Sequence, residues 1–295
     1  MKKGVIIINH QYGAASKNIT HKINRFKEEF SKLDTKIDVL ENDGSLAIIK
    51  GGDIVLNMAK YDFCIYLDKD KYLARIIEKA GMPIFNRPSF IELCDDKMFT
   101  HIRLANLGFK MPKTIPGPLV FSNHECSNEE VLNNVLKEIS FPLLIKGVYG
   151  SLGLNMEYVS NKDEFNIAYD KMKDQPLLFQ EYIKSSYGKS LRCLVVDHKL
   201  LGAFERYNPN DYRSNFHEGA SSKPFSLPDN YIGFINRIID ELDIEYAGID
   251  LLFGEDNEPI LCEINSNAFF KEFENVTHIN VAKEFATMVL NKINR

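Results

Sequence analysis

Between Val5 and Phe85 short apolar runs alternate with helical patterns, and no other feature of the chain restricts its fold as strongly. Val5 to Asn9 reads as a buried strand. Ser16 to Leu33 reads as a helix, because Ile19, Ile23, Phe26, Phe30 and Leu33 fall four, three, four and three residues apart and share one face. Strands follow at Ile37 to Leu40 and at Phe63 to Leu67. A helix from Asp70 to Ala80 is stopped by Gly81, and a short strand fits Ile84 and Phe85. A chain that reaches each new strand through a helix lays its strands parallel, so a small open α/β sheet is expected. The turn after the first strand, Asn9-His10-Gln11-Tyr12-Gly13, lacks G-x-G-x-x-G and so carries no dinucleotide fingerprint.

The pattern then changes. A helix from Asp95 to Asn106 is bounded by Gly108, and the Pro-rich stretch Met111 to Pro118 leads into short helices set between strand pairs. Ser127 with Glu130, and Asn161 with Glu164, are capping pairs that start helices of about a dozen residues each. Strands are expected at Leu143 to Lys146, Leu154 to Val159, Leu177 to Tyr182, Leu191 to Val196, Leu200 to Tyr207, Tyr246 to Phe253 and Ile260 to Asn265. The fold class is therefore α/β followed by α+β. At 295 residues two domains are expected, an amino-terminal unit over 1–90 and a body over 91–295 with a central lobe at about 112–183.

Composition removes several classes of function. Lys and Arg number 36 against 41 Asp and Glu, a net charge of -5, and no basic stripe stands out, so no nucleic-acid partner is expected. The apolar run Val5 to Ile8 is too short for a signal-peptide core, and nowhere do about 18 apolar residues follow one another. No membrane association is expected, and the location expected is cytoplasmic. The 5 cysteines are widely spaced without a C-x-x-C pair, which reads as buried reduced thiols and not as a disulfide framework or zinc cage.

Two segments carry chemistry. In the first, Ala247-Gly248-Ile249-Asp250 and Pro259-Ile260-Leu261-Cys262-Glu263-Ile264-Asn265 are apolar strands that each end in oxygen ligands. Alternation places Glu263 and Asn265 on one face, and an antiparallel neighbour could set Asp250 beside them. Two carboxylates and an amide oxygen suit Mg²⁺, while three solvated outward-facing side chains would read the same way. In the second, Lys146 ends the apolar run Leu143-Leu144-Ile145 and is followed by Gly147-Val148-Tyr149-Gly150-Ser151-Leu152-Gly153. A strand-end lysine with a glycine loop can cradle phosphate oxygens, and a flexible hairpin loop explains the same residues. Gly188-Lys189-Ser190 imitates the end of a P-loop, but Ile183 stands where the upstream glycine is required.

Taken in order, Asp95-Asp96-Lys97, Lys146 with its glycine loop, Phe179-Gln180-Glu181-Tyr182-Ile183, Leu191-Arg192-Cys193, Arg213-Ser214-Asn215 and Glu263-Ile264-Asn265 resemble the motifs of the ATP-grasp superfamily. From about Asp95 to the carboxyl terminus the similarity is greatest to the RimK-like α-L-glutamate ligases. The resemblance implies an ATP-grasp fold with ATP in a cleft between two α+β lobes. It implies Lys97 and Lys146 on the phosphates, with Gly150, Ser151 and Gly153 closing over them. Glu181, Tyr182 and Ile183 resemble the adenine-binding linker. Asp250, Glu263 and Asn265 match the family's ligands for Mg²⁺, with Mn²⁺ as an alternative.

The chemistry so implied is ATP-dependent joining of a carboxylate to an amine through an acyl phosphate. Arg206 and Arg213 would neutralise the transferring phosphoryl group, and Ser214 and Asn215 would bind substrate. The partners implied are a small-molecule, peptide or protein carboxylate and an amine such as glutamate or another amino acid, with a homo-oligomer compatible. Two departures stand out. Ser190 occupies the position at which the family usually carries an acid for the ribose, and Ser266-Asn267-Ala268-Phe269-Phe270 replaces a proline- and glycine-containing stretch. An ATP-grasp ligase for an unrelated acid, or a non-catalytic nucleotide-binding protein, remains an alternative reading at this level.

Overall fold

The computed structural model describes residues 2–11, 16–120, 127–150, 155–214 and 219–294. Its first sheet is parallel, in the order β2-β1-β5-β6, built from β1 (Lys2–Asn9), β2 (Thr35–Asn42), β5 (Phe63–Tyr66) and β6 (Ile84–Phe85). Helices α1 (Lys17–Lys32) and α2 (Lys71–Lys79) cross between its strands, as the strand–helix alternation requires. Ser16 caps α1 and Asp70 caps α2, each through its side-chain oxygen. Between β2 and β5 lies a hairpin that the sequence reading did not assign, β3 (Ala47–Lys50) and β4 (Asp53–Leu56), turning at Gly51-Gly52.

The helix expected over Asp95 to Asn106 is α4 (Lys97–Leu104), and before it lies α3 (Pro88–Asp95), which the sequence reading did not assign. Asp96 breaks them apart. Its backbone is extended, at φ -94° and ψ 102°, and its carboxylate accepts from the Phe99 amide at 2.9 Å, so it serves as the N-cap of α4.

An antiparallel sheet follows in the order β7-β10-β8-β9, from β7 (Thr114–Pro116), β8 (Leu143–Gly147), β9 (Met156–Val159) and β10 (Leu177–Glu181). It is backed by α5 (Asn128–Val135) and α6 (Lys162–Met172), which Ser127 and Asn161 cap as the sequence pairs indicate. At 8 residues α5 is shorter than expected.

The last sheet is antiparallel, β13-β12-β11-β14-β15, from β11 (Lys189–Val196), β12 (Lys199–Tyr207), β13 (Ser221–Pro224), β14 (Tyr246–Phe253) and β15 (Pro259–Asn265). Helix α7 (Asp229–Leu242) packs Ile235, Ile238 and Ile239 on one side of it. On the other side α8 (Lys271–Thr277) and α9 (Val281–Ile293) join a core shared with the first sheet, where Phe26 of α1 stacks on Phe285 of α9 at 4.6 Å. Burying such a phenylalanine contributes roughly 1.5–3 kcal/mol, so the amino-terminal sheet is held firmly to the body. Among the described residues no helix is long and apolar enough to cross a membrane.

Candidate active site

A cleft of about 940 Å³, open to solvent, lies between the β7-β10-β8-β9 sheet and the β11-β14-β15 side of the last sheet. The residues lining it include Lys97, Lys146, Gly150, Asp250 and Glu263, which the sequence reading assigned to phosphates or metal.

Lys146 is carried at the end of β8, 9% exposed, and its ammonium meets the Gln180 side-chain oxygen at 2.6 Å. The antiparallel register sets Lys146 opposite Leu178 and Gln180 opposite Leu144, so Lys146 and Gln180 are diagonal neighbours on one face. Lys97 opens α4. Its amide donates to the Val148 carbonyl at 3.2 Å and its ammonium to the Gly150 carbonyl at 2.7 Å, which ties the glycine loop to the helix. Burial, partly opposed by Glu263, lowers the Lys97 pKa. Gly150 sits at φ +124°, outside the range of ordinary L residues, and a Cβ on Gly147 would lie 1.8 Å from the Asn155 amide nitrogen.

The linker Glu181-Tyr182-Ile183 lines the cleft next to apolar Leu144, Met156 and Leu252. The Glu181 amide donates to the Lys113 carbonyl at 2.9 Å, and its carboxylate accepts from the Lys113 amide at 3.1 Å. Tyr182 packs edge-on against Tyr158 at 5.1 Å, and Tyr158 lies tilted against Tyr212 at 5.2 Å. Burial pushes the Tyr182 hydroxyl up to about 12.

Register decides the acidic end. Asp250 of β14 stands directly opposite Glu263 of β15, and Asn265 lies two residues on along the same face. A bulge after Asp250 leaves Cys262 without a ladder partner, and both Cys262 and Glu263 line the cleft. The Asn265 amide donates to Glu263 at 2.9 Å and approaches Asp250 at 3.4 Å. Asp250 is itself gripped by two guanidiniums. Arg192 meets both of its oxygens, at 2.5 and 2.7 Å, and Arg206 meets one at 2.6 Å. Burial works against ionising Asp250, but Arg192 and then Arg206 outweigh it and hold the carboxyl below its usual range.

The donor set fits a hard divalent ion: two carboxylates directly opposite each other on neighbouring strands, and an amide that presents its oxygen when turned by a half rotation. Because Arg192 and Arg206 already pair with Asp250, a cation gains most when it enters together with a polyanion.

Other residues named from sequence fall on the same wall. Ser190, Arg206, Arg213 and Ser214 all line the cleft. The Ser190 hydroxyl lies 2.5 Å from that of Ser214 and accepts from Arg206 at 3.1 Å, so its polar capacity is directed along the wall. Arg213 bonds Asp211 through Nε at 3.0 Å and Nη2 at 2.8 Å. Ser151, Gly153 and Asn215 lie outside the described residues. The sequence reading cited Arg192 and Gln180 only as parts of motifs. Each carried a signal, a polar residue inside an otherwise buried apolar strand.

The sequence pattern of the RimK-like ATP-grasp domain matches residues 94–289. The chain belongs to that family. Its members are ATP-dependent ligases that join a carboxylate to an amine and in general use ATP with Mg²⁺. Over 288 residues the chain is 29% identical to a Mycoplasma genitalium protein named "Uncharacterized protein MG012", covering 94% of this chain and 97% of that one. Human N-acetylaspartylglutamate synthase A is 28% identical over 216 residues, 72% of this chain but only 54% of that protein. Among solved structures, a RimK domain ATP-grasp protein from Sphaerobacter thermophilus superposes with a TM-score of 0.72 at 17% identity, covering 98% of this chain and 99% of its own. D-alanine–D-alanine ligase from Bacillus anthracis gives 0.74 at 17% identity, covering 100% and 98%. At such identities the likeness is one of fold.

Proposed function

We propose that this ATP-grasp ligase couples an amino acid, glutamate or a relative of it, to the carboxylate of a small molecule, peptide or protein through an acyl phosphate. The observation that carries the reading is the convergence of Lys97, Lys146, Arg206 and Arg213 with Asp250 and Glu263 on one cleft. In this reading residues 1–90 form the amino-terminal unit, 91–295 the body and about 112–183 its central lobe, and the protein works in the cytoplasm.

A carboxylate is a poor electrophile. Its oxygen attacks the γ-phosphorus of ATP, the bond to the β-phosphate oxygen breaks and ADP leaves. The amine then attacks the activated carbonyl carbon, phosphate departs with the bonding pair, and the nitrogen gives up its proton to solvent. Lys97 and Lys146 hold the phosphates, Gly150 with Ser151 and Gly153 encloses them, and Arg206 and Arg213 meet the charge that grows on the transferring oxygens. Glu181, Tyr182 and Ile183 receive the adenine, with Leu144, Met156 and Leu252 against its faces, and Ser190 lies by the ribose. Asp250, Glu263 and Asn265 would hold Mg²⁺, which supplies neutralisation of the β- and γ-phosphate oxygens. Ser214 and Asn215 contact the acceptor.

Hydroxylamine provides the test, since it captures an acyl phosphate as a hydroxamate. Incubation with ATP, Mg²⁺, pooled amino-acid and peptide carboxylates and hydroxylamine is expected to release ADP and form a hydroxamate in equal amounts. Normal ATP binding with neither product would favour the non-catalytic alternative.

A further inference from the structure

Strand β10 reads Leu177-Leu178-Phe179-Gln180, and Gln180 is only 2% exposed. A buried amide is costly unless both of its ends are met, and here the partners fix which end points where. The Gln180 oxygen faces the Lys146 ammonium at 2.6 Å, while its nitrogen lies 2.9 Å from the Thr114 hydroxyl and 3.3 Å from His101 Nε2. Thr114 donates its own proton to the Pro112 carbonyl at 2.9 Å, so toward Gln180 it accepts. The second amide N–H then points at His101 Nε2, which accepts only when the ring is neutral and carries its proton on Nδ1. Burial, aided by the Lys146 charge, lowers the His101 pKa to about 4 and keeps the ring neutral at physiological pH. With both N–H groups engaged, the oxygen is left for Lys146, and a turned amide would set its NH₂ against the ammonium.

His101 is not among the residues that line the cleft. It lies on α4 four residues after Lys97, one turn along the same face. One helix thus holds Lys97 at the glycine loop directly and reaches Lys146 through Gln180. We infer that His101 is a positioning residue, a neutral acceptor that orients the Gln180 amide and so fixes the Lys146 ammonium where nucleotide phosphates are received. The inference rests on the role given to Lys146 under Proposed function.

Titration calorimetry of Mg-ADP with the full chain tests it, alongside thermal melts of each variant. His101→Leu keeps the bulk but removes the acceptor, and is expected to weaken binding about tenfold, with His101→Gln recovering to within about threefold because its carbonyl can accept the same bond. On a Lys146→Met background His101→Leu should cost nothing further. Wild-type affinity in His101→Leu, or an equal loss on both backgrounds, overturns the inference while leaving Lys146 a phosphate ligand. Unchanged affinity in Lys146→Met itself overturns the phosphate role and the inference with it. Should His101→Leu melt out, Thr114→Val removes the other acceptor and is read by the same cycle.

Discussion

Asp250 and Glu263 stand directly opposite each other on neighbouring strands, yet replacing them should affect stability very differently. Asp250 is 4% exposed and its carboxylate meets both Arg192 and Arg206. Asp250→Asn leaves two buried guanidiniums facing a neutral amide, and breaking a buried ion pair in this way costs about 3–5 kcal/mol. At about 2 °C of melting temperature per kcal/mol for a chain of this size, the expected fall is roughly 6–10 °C. Glu263 is half-buried and accepts one hydrogen bond, from Asn265, that a glutamine oxygen can also accept. Glu263→Gln should therefore stay within about 1 kcal/mol of wild type, or ~2 °C. Both variants should lose ADP release, because each removes an anionic ligand from the proposed metal set.

The pH dependence follows from the direction of the Asp250 shift. A carboxyl whose folded pKa is depressed adds stability that is complete above its unfolded value, near about 3.9, and is lost as pH falls through the folded value. The gap between wild type and Asp250→Asn should thus be constant near neutrality and close only in acid, as read by calorimetric melts from neutral pH downward. Equal melting temperatures for Asp250→Asn and Glu263→Gln near neutrality would refute the ion-pair reasoning.

Three further outcomes follow. Burial lowers the Lys97 pKa in the empty cleft, and a triphosphate raises it, so nucleotide binding should take up protons increasingly as pH climbs toward the ordinary lysine range; calorimetry in buffers of different ionisation heat reads this. Gly147→Ala places a methyl 1.8 Å from Asn155 Nδ2, which bonds the Tyr149 carbonyl at 3.1 Å and Gln175 at 2.9 Å, so the loop anchor should shift and KM for ATP should rise about tenfold or more in steady-state assays. Mg²⁺ without nucleotide should bind at least about tenfold more weakly than with ADP, because Arg192 and Arg206 already pair with Asp250; calorimetry with and without ADP checks it.

The strands that carry the cleft were the most legible part of the chain. Tyr246–Phe253 has the boundaries that its apolar run indicates, and alternation along Cys262-Glu263-Ile264-Asn265 set Glu263 and Asn265 on the face that Asp250 joins. The hairpin over 47–56 escaped because its apolar residues run consecutively, Ala47-Ile48-Ile49 and Ile54-Val55-Leu56, with Ile48 50% and Ile49 62% exposed, so the sequence shows no alternation between a buried and an exposed face. Helix α3 over Pro88–Asp95 escaped for another reason. At 8 residues it is short, and Phe90, Ile91 and Cys94 span too few turns to show a helical period. Helices α7, α8 and α9 fell in stretches read for their flanking strands alone.

Within the site, Lys97, Lys146, Asp250 and Glu263, named from the order of motifs, all line one cleft. That order did not show that Arg192 is the cross-strand partner of Asp250, which depends on the pairing of β11 with β14. Nor did it show that the Ser190 hydroxyl is committed to Ser214 and Arg206.

Anomalous diffraction from crystals grown with ADP and Mn²⁺ examines the proposed centre most directly. The account predicts a manganese peak within about 2.0–2.6 Å of oxygens from Asp250, Glu263 and Asn265 and of a β-phosphate oxygen, with Lys97 and Lys146 on the phosphates. A manganese ion bound away from these three side chains, with nucleotide ordered elsewhere on the protein, would contradict it.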